Sequence, residues 1–259
     1  MAKIKIARRV FQAFFLGASL SLLVKGLLGL TTKTVEHYCP MGGLVSIYGL
    51  LKKQQFICAL NEMNISIALA LLIGVIITKK SFCSWVCPLG TIFDWFAWLR
   101  RKTLGRDFLR IPNLPDALLS NIKYLVLAAV LILTFRASEL VFRGYDPFYV
   151  LFTGTQGHGL IPIVSLAILL GVLVLSFVFE MAWCRYLCPL GAAMNLPSRV
   201  GLLKIKRNAS RCTGCGACDA VCLQRIPVSG LVKVNRADCT SCLDCVARCP
   251  ETGALDIGI

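Results

Sequence analysis

Histidine is almost missing from this chain. The 259 residues include two, His37 and His158. No C-x-x-C-H occurs, which removes a covalent c-type haem. Acidic residues are scarce too, 13 Asp and Glu against 28 Lys and Arg. No nucleophile–base constellation stands out among them, so hydrolytic catalysis finds no support. No nucleic-acid-binding module is present, and the net charge of +15 needs another explanation. No small-residue cleavage site follows the first apolar run, Val10 to Leu30, so that run does not read as a cleaved signal.

What the chain has instead is cysteine, 14 in all. Cys212, Cys215, Cys218 and Cys222 form one run; Cys239, Cys242, Cys245 and Cys249 form a second, followed by Pro250. Each reads C-x2-C-x2-C-x3-C, the spacing that holds two 4Fe–4S cubanes, with the fourth cysteine of each run serving the other cluster. The expected ligand sets are Cys212, Cys215, Cys218 and Cys249 for one cluster, and Cys239, Cys242, Cys245 and Cys222 for the other. A zinc site wants two close pairs, and a disulfide framework wants an oxidising compartment; these are the rival readings. Leu223 stands after Cys222 where the bacterial ferredoxin run has proline, and Pro227 is left to turn the chain.

The composition is that of a membrane protein: 57% hydrophobic, with mean hydropathy +0.73. Four stretches approach the roughly 20 apolar residues a span requires: Val10 to Leu30, Ile65 to Thr78 with its flanks, Ile122 to Leu140, and Pro162 to Met181. With four spans, the tail before Val10, the segment 79–123 and everything after Trp183 fall on one side. That side holds 22 of the 28 Lys and Arg, and by the positive-inside bias it is the cytoplasm. The basic excess is then topology, with some attraction to anionic headgroups. Lys25, near the outer end of the first run, reads as a snorkelling side chain.

The chain also repeats. Cys83-Ser-Trp-Val-Cys87-Pro88-Leu89-Gly90 matches Cys184-Arg-Tyr-Leu-Cys188-Pro189-Leu190-Gly191, each copy directly after an apolar stretch. Upstream, Tyr38-Cys39-Pro40 has a weaker echo in Tyr145-Asp146-Pro147. Two parallel halves are related by an axis along the membrane normal, which sets the two C-x3-C-P motifs facing each other. Cys83, Cys87, Cys184 and Cys188 are therefore a candidate third iron–sulfur site. A redox dithiol pair, a mononuclear metal site and reduced structural cysteines are the other readings.

Four apolar spans, two C-x3-C-P motifs and a C-terminal two-cluster ferredoxin resemble the NapH family, membrane components of quinol dehydrogenases. The same module is similar to the membrane and ferredoxin part of NosR and to the oxidase-assembly ferredoxins. The resemblance covers nearly the whole chain. It implies an electron-transfer subunit that oxidises quinol and relays electrons to a partner iron–sulfur protein or multihaem c-type cytochrome, in a bacterial inner membrane. A maturation ferredoxin that reduces a metal or disulfide, and an iron–sulfur redox sensor, are the alternatives.

The outer face is ambiguous. Cys39 and Cys58 either form a disulfide, or Cys39 lies near the axis opposite Asp146. Together with His158, Cys39 and Asp146 make a candidate outer redox or quinol site; the stronger reading of His158 is a solvated loop residue. Both histidines fall in outer loops, so an intrinsic haem held by two histidines is disfavoured. Glu180 either tunes a cluster or pairs with Arg185, and Asp94 is read with the same reserve. Trp95 to Trp98 with Arg100, Arg101 and Lys102 reads as an interfacial helix, or as a docking face for an acidic partner. The expected architecture is an all-α domain of four transmembrane helices, residues 1–198, plus a small α+β dicluster ferredoxin, residues 199–259. The connector between them is too short to be a free tether, so the ferredoxin should press against the membrane, with both termini cytoplasmic.

Overall fold

The computed structural model describes residues 2–28, 62–103, 105, 119–137, 146–153 and 161–258. The chain begins with a long helix, α1 (Ala2–Leu27). Three further apolar helices follow it: α2 (Glu62–Thr78), α5 (Ile122–Ala137) and α7 (Ile161–Val178). All three are apolar around their circumference, and large aliphatic side chains lie on the outside: Leu125 is 71% exposed, Ile163 65% and Val174 64%. A helix that is hydrophobic on every face belongs in a core or a bilayer, and these faces have no protein core against them. Within the described residues one segment, Ile4–Gly26, is long and apolar enough by itself to cross a membrane; Ser66–Thr78, Ile122–Thr134 and Pro162–Val178 are apolar but shorter.

The repeat is visible in the backbone. After α2 comes the short helix α3 (Ser81–Trp85), then α4 (Pro88–Thr103); after α7 comes a π-helical turn, Trp183–Leu187, then α8 (Pro189–Ser198). In both copies the second cysteine's amide donates five residues back: Cys87 N to Phe82 O at 2.9 Å and Cys188 N to Trp183 O at 2.8 Å. Such π turns widen the helix and often mark functional sites. The proline that follows lacks an N–H and suits the first turn of the next helix. The glycine closing each C-P-L-G is there for contact: a Cβ on Gly90 would lie 2.1 Å from the Cys83 carbonyl oxygen, and one on Gly191 3.3 Å from that of Cys184.

Between α5 and α7 lies a helix that the sequence reading treated as loop, α6 (Pro147–Thr153). It packs against α1 and α7 and buries Tyr149, Val150 and Phe152. The C-terminal part has a three-stranded antiparallel sheet in the order β2-β1-β3: β1 (Lys204–Arg207), β2 (Lys233–Val234) and β3 (Leu255–Gly258). Two short helices, α9 (Ala217–Val221) and α10 (Asp244–Arg248), pack on each other. Ile205 faces Val234 on one side and Ile257 on the other. Ile205 and Val234 join Val228 and Leu255 in a core that includes Cys218, Cys239 and Cys245. The observed architecture is thus mostly helical with one small sheet, as expected.

Candidate iron–sulfur centres

Each cysteine run is laid out by its own loop and short helix. Cys218 sits on α9 and Cys245 on α10, one turn after each C-x2-C loop. Cys212, Cys215 and Cys218 line one small cavity together with Cys249, the last cysteine of the other run. Cys245 lies within electrostatic range of Cys222, Cys239 and Cys242. The four cysteines of the first expected set thus share one cavity, and Cys222, Cys239 and Cys242 are electrostatic neighbours of Cys245.

The two C-x3-C-P motifs also meet. Cys83, Cys87, Cys184 and Cys188 line a single cavity of about 400 Å³ between α1, α2 and the two cysteine turns. Its remaining wall is mostly apolar, with Phe15, Leu22, Ile67 and Phe148, interrupted by Ser19 and Asp146. Two of the four thiols hang from the π turns, so both halves present sulfur at matching positions.

These donor sets suit an iron–sulfur cluster. The twelve described cysteines are all free thiols. Among the described residues, no three His, Cys, Asp or Glu side chains converge as ligands of one ion would; Cys212, Cys215, Cys218 and Cys249 line one cavity and the four C-x3-C-P thiols another. Between Cys239 and Cys242 the Ser241 hydroxyl is buried without a hydrogen-bond partner among the described residues, a donor available to a sulfur acceptor.

The ferredoxin loops are bonded to the helices. Ser84 Oγ donates to Thr240 O at 2.8 Å, Trp85 Nε1 to Ser241 O at 3.1 Å, and Arg8 Nη1 to Cys242 O at 3.2 Å. Three successive carbonyls of the second cysteine loop thus take donors from the helical part. Lys79, 1% exposed, donates to Val234 O at 2.9 Å, and Ser198 Oγ to Ala237 O at 2.8 Å. Asp238 takes Lys123, Asn195 at 3.0 Å and Lys80 at 3.7 Å. Burial pushes the Asp238 carboxyl up, but Lys80 and then Lys123 and Asn195 outweigh it and hold it below its ordinary value. Leu223, which stands where proline was expected, is buried in the helical core with Leu89, Phe93 and Met181. That contact gives the departure from the ferredoxin pattern a packing reason and joins the C-terminal part to the helical core.

Several sequence-level placements change. Asp146, expected on the outer face beside Cys39 and His158, lines the cavity of the four C-x3-C-P thiols. The reason is α6: Asp146 caps it, accepting from Phe148 N at 3.1 Å, and the packed helix carries the residue inward. Cys39, Cys58, His37 and His158 lie outside the described residues. Glu180 pairs with Arg100 at 2.8 Å and with Arg101 at 2.6 Å and 2.7 Å. It does so in place of the expected Arg185. Arg100 is buried, and it also donates to Val178 O. Arg100 and Arg101 are therefore turned inward onto Glu180, while Lys102 is exposed over the Trp98 ring and Trp95, Trp98 and Leu99 face outward, 45%, 50% and 44% exposed. Asp94 accepts from Arg8 at 2.9 Å and Gln12 at 3.0 Å. Arg8, Gln12 and Asp238 escaped the sequence reading. Arg8 was absorbed into the membrane-sidedness count, and nothing local marks residues whose partners lie tens to hundreds of positions away.

Comparison with known proteins agrees with this geometry. A 4Fe–4S binding domain model matches residues 60–107 and again 161–209, the two copies of the repeat. A 4Fe–4S dicluster domain model matches residues 204–250. YccM of Escherichia coli K12, whose name assigns it to electron transport, is 32% identical over 87% of this chain and 64% of its own length. The ferredoxin-type protein NapH of Haemophilus influenzae is 30% identical over 72% of this chain and 65% of its own length. The regulatory protein NosR of Pseudomonas aeruginosa is 31% identical over 63% of this chain and 23% of its own length. The chain thus spans less than two thirds of each of these relatives. No solved structure matches it. With its repeated C-x3-C-P turns and its crossed cysteine sets, the chain belongs to the NapH-type polyferredoxin family.

Proposed function

We propose that the chain is a membrane-bound iron–sulfur subunit that relays electrons between a quinol pool and a partner redox protein, either an iron–sulfur protein or a multihaem c-type cytochrome. One observation carries this reading. Ser84 and Trp85, which lie between Cys83 and Cys87, bond the carbonyls of Thr240 and Ser241, which lie between Cys239 and Cys242. Two thiol-lined sites are therefore joined across a single layer of residues, as successive stations for an electron must be.

In this reading Cys212, Cys215, Cys218 and Cys249 hold one 4Fe–4S cluster. Cys222, Cys239, Cys242 and Cys245 hold a second, and Cys83, Cys87, Cys184 and Cys188 hold a third. When bound, such clusters exchange single electrons. The protein's share is position, burial and hydrogen bonding, which set the potential of each centre. The apolar remainder of the cavity that these four thiols line, with Asp146 in its wall, takes the quinol head.

The four apolar helices are read as four spans. At 16 to 18 residues, α2, α5 and α7 reach about 24–27 Å, close to the hydrocarbon thickness of about 30 Å. The basic bias of the sequence then puts both termini and all three centres on the cytoplasmic side of a bacterial inner membrane. The ferredoxin, residues 199–259, is docked on the membrane domain, residues 1–198.

Iron content tests the reading. Protein purified without air should hold about twelve irons per chain, and Cys87→Ser and Cys188→Ser should each remove about four. A count of about eight, unchanged in both variants, would sink the third centre. Adding a quinol analogue should reduce the clusters; clusters that stay oxidised while a strong chemical reductant reduces them would refute the quinol relay.

A further inference from the structure

Where α2 stops, two consecutive lysines turn into the protein. Lys79 is 1% exposed and Lys80 2%, and lysine is almost never fully buried unless it is paired. Lys79 is also left-handed, at φ +59°. That conformation is strained for a residue with a Cβ and persists where the surroundings over-determine it. Its ammonium donates to Val234 O at 2.9 Å and Arg236 O at 3.4 Å. Carbonyls satisfy its N–H groups and leave its charge in place. Lys80 reaches Asp238 at 3.7 Å. Asp238 is a single carboxylate, however, and it takes Lys123 and Asn195 more closely. With Asp238 allotted to Lys123, positive charge remains on Lys79 and Lys80, and both are held away from water.

Each lysine faces a different set of thiols. Lys79 lies within electrostatic range of Cys239, and Lys80 within range of Cys83 and Cys184. Burial lowers the Lys79 ammonium below its ordinary value, and the Cys239 thiolate acts against that. A cluster held by four thiolates is anionic and gains a further negative charge on reduction. A cation beside it in a poorly screened place therefore favours the reduced state. The first centre is arranged differently. Cys215 is exposed, and Arg207 beside Cys212 is countered by Asp219 beside Cys218. We propose that Lys79 and Lys80 are positioning residues of the electron relay, Lys79 raising the potential of the second centre and Lys80 that of the third. The inference rests on the electron-transfer reading and gives it a direction: the two inner centres are the ones set to take electrons from a quinol.

The test is a redox titration followed by electron paramagnetic resonance, on the full chain purified without air in detergent. Cys188→Ser identifies the signal of the third centre by its loss. Lys79→Gln keeps a donor for the carbonyls and removes the charge. The reduction equilibrium of the second centre should fall about tenfold, which is about 59 mV toward more negative values for one electron, with a smaller change at the third. Lys80→Gln should do the same to the third centre. Lys79→Arg and Lys80→Arg keep the charge and should hold the parent potentials, and Lys206→Gln, exposed on β1, should move none of them. If a glutamine variant fails to fold, Asp238→Asn tests the same field with the opposite sign: removing the carboxylate should move the second and third potentials to more positive values. Potentials that stay fixed in both glutamine variants overturn the proposal. So do arginine variants that shift as far as the glutamine ones, since packing and not charge would then set the potential. An iron count of about eight would end the role of Lys80 at a third centre, and Lys79→Gln would still decide the second. If the potentials move as expected and a quinol analogue reduces nothing, the quinol relay falls and the assignment of the lysines stands.

Discussion

Gly214 and Gly216 in the first cysteine run stand where Ser241 and Leu243 stand in the second. All four are left-handed, at φ +71°, +68°, +46° and +61°. The backbone needs the same shape in both loops, but only the first loop obtains it with glycine. For a residue with a Cβ, that conformation costs roughly 1–2 kcal/mol, and such strain persists where the surroundings over-determine it. The surroundings differ accordingly. Cys215 in the first loop is exposed. The second loop has three consecutive carbonyls held by Arg8, Ser84 and Trp85. One cysteine loop faces solvent at Cys215; the other is bonded to the helical part and shaped by it.

Removing the clamp should break this contrast most strongly. Arg8 joins Asp94 at 2.9 Å and Asp244 at 2.8 Å across α1, α4 and α10, with its side chain 8% exposed. Arg8→Gln leaves two carboxylates without their cation and frees the Cys242 carbonyl. The expected cost is about 3 kcal/mol at the second loop, the lower end for breaking a buried pair. In a chelator challenge of the anaerobic protein, iron should leave the second centre first and the first centre should be unaffected. Equal loss from both centres would mean that Arg8 supports the ferredoxin as a whole.

The reverse test targets the glycines. A Cβ on Gly214 or Gly216 would meet nothing within 4 Å, so any cost of alanine there is backbone strain alone. Gly214→Ala and Gly216→Ala should each destabilise by roughly 1–2 kcal/mol, seen in the thermal release of iron from the first centre only. If either variant is as stable as the parent, left-handed geometry is not what glycine supplies at that position.

The contrast was half legible in the sequence. The cysteine spacings led to two crossed ligand sets, and the members of the first line one cavity, because ligand geometry is local and repeats between proteins. The two C-x3-C-P copies foretold a shared site, because an internal repeat implies an axis. The clamp was not legible. Ser84 and Trp85 looked like spacer residues between two cysteines, and their partners lie 156 positions away. Asp146 was misplaced for a related reason. Asp-Pro followed by Phe-Tyr-Val-Leu-Phe is a capped helix start, but a seven-residue helix between two apolar spans is hidden by their stronger signal. Lys79 and Lys80 read as topological charges, and both turn out to be buried, at 1% and 2% exposure, bonding the ferredoxin.

The smallest expected effect is the most discriminating. Ser241 is left-handed and 5% exposed, and its hydroxyl has no partner among the described residues. A buried hydroxyl without a partner costs about 1–3 kcal/mol, and serine at this φ adds strain that glycine would avoid. Two unfavourable features at one position are best explained by a compensating acceptor, and the sulfur of a cluster held by Cys239 and Cys242 is the acceptor in reach of this loop. Ser241→Ala keeps the backbone strain and removes only the donor. A hydrogen bond to sulfur stabilises the more negative, reduced state, so the potential of the second centre should move to more negative values while that of the first stays fixed. Thermal stability should change by less than about 1 kcal/mol, because losing the bond and losing the buried hydroxyl nearly cancel. A potential that does not move, with stability raised by more than that, would show that the hydroxyl has no acceptor and that the second loop holds its shape through the clamp alone.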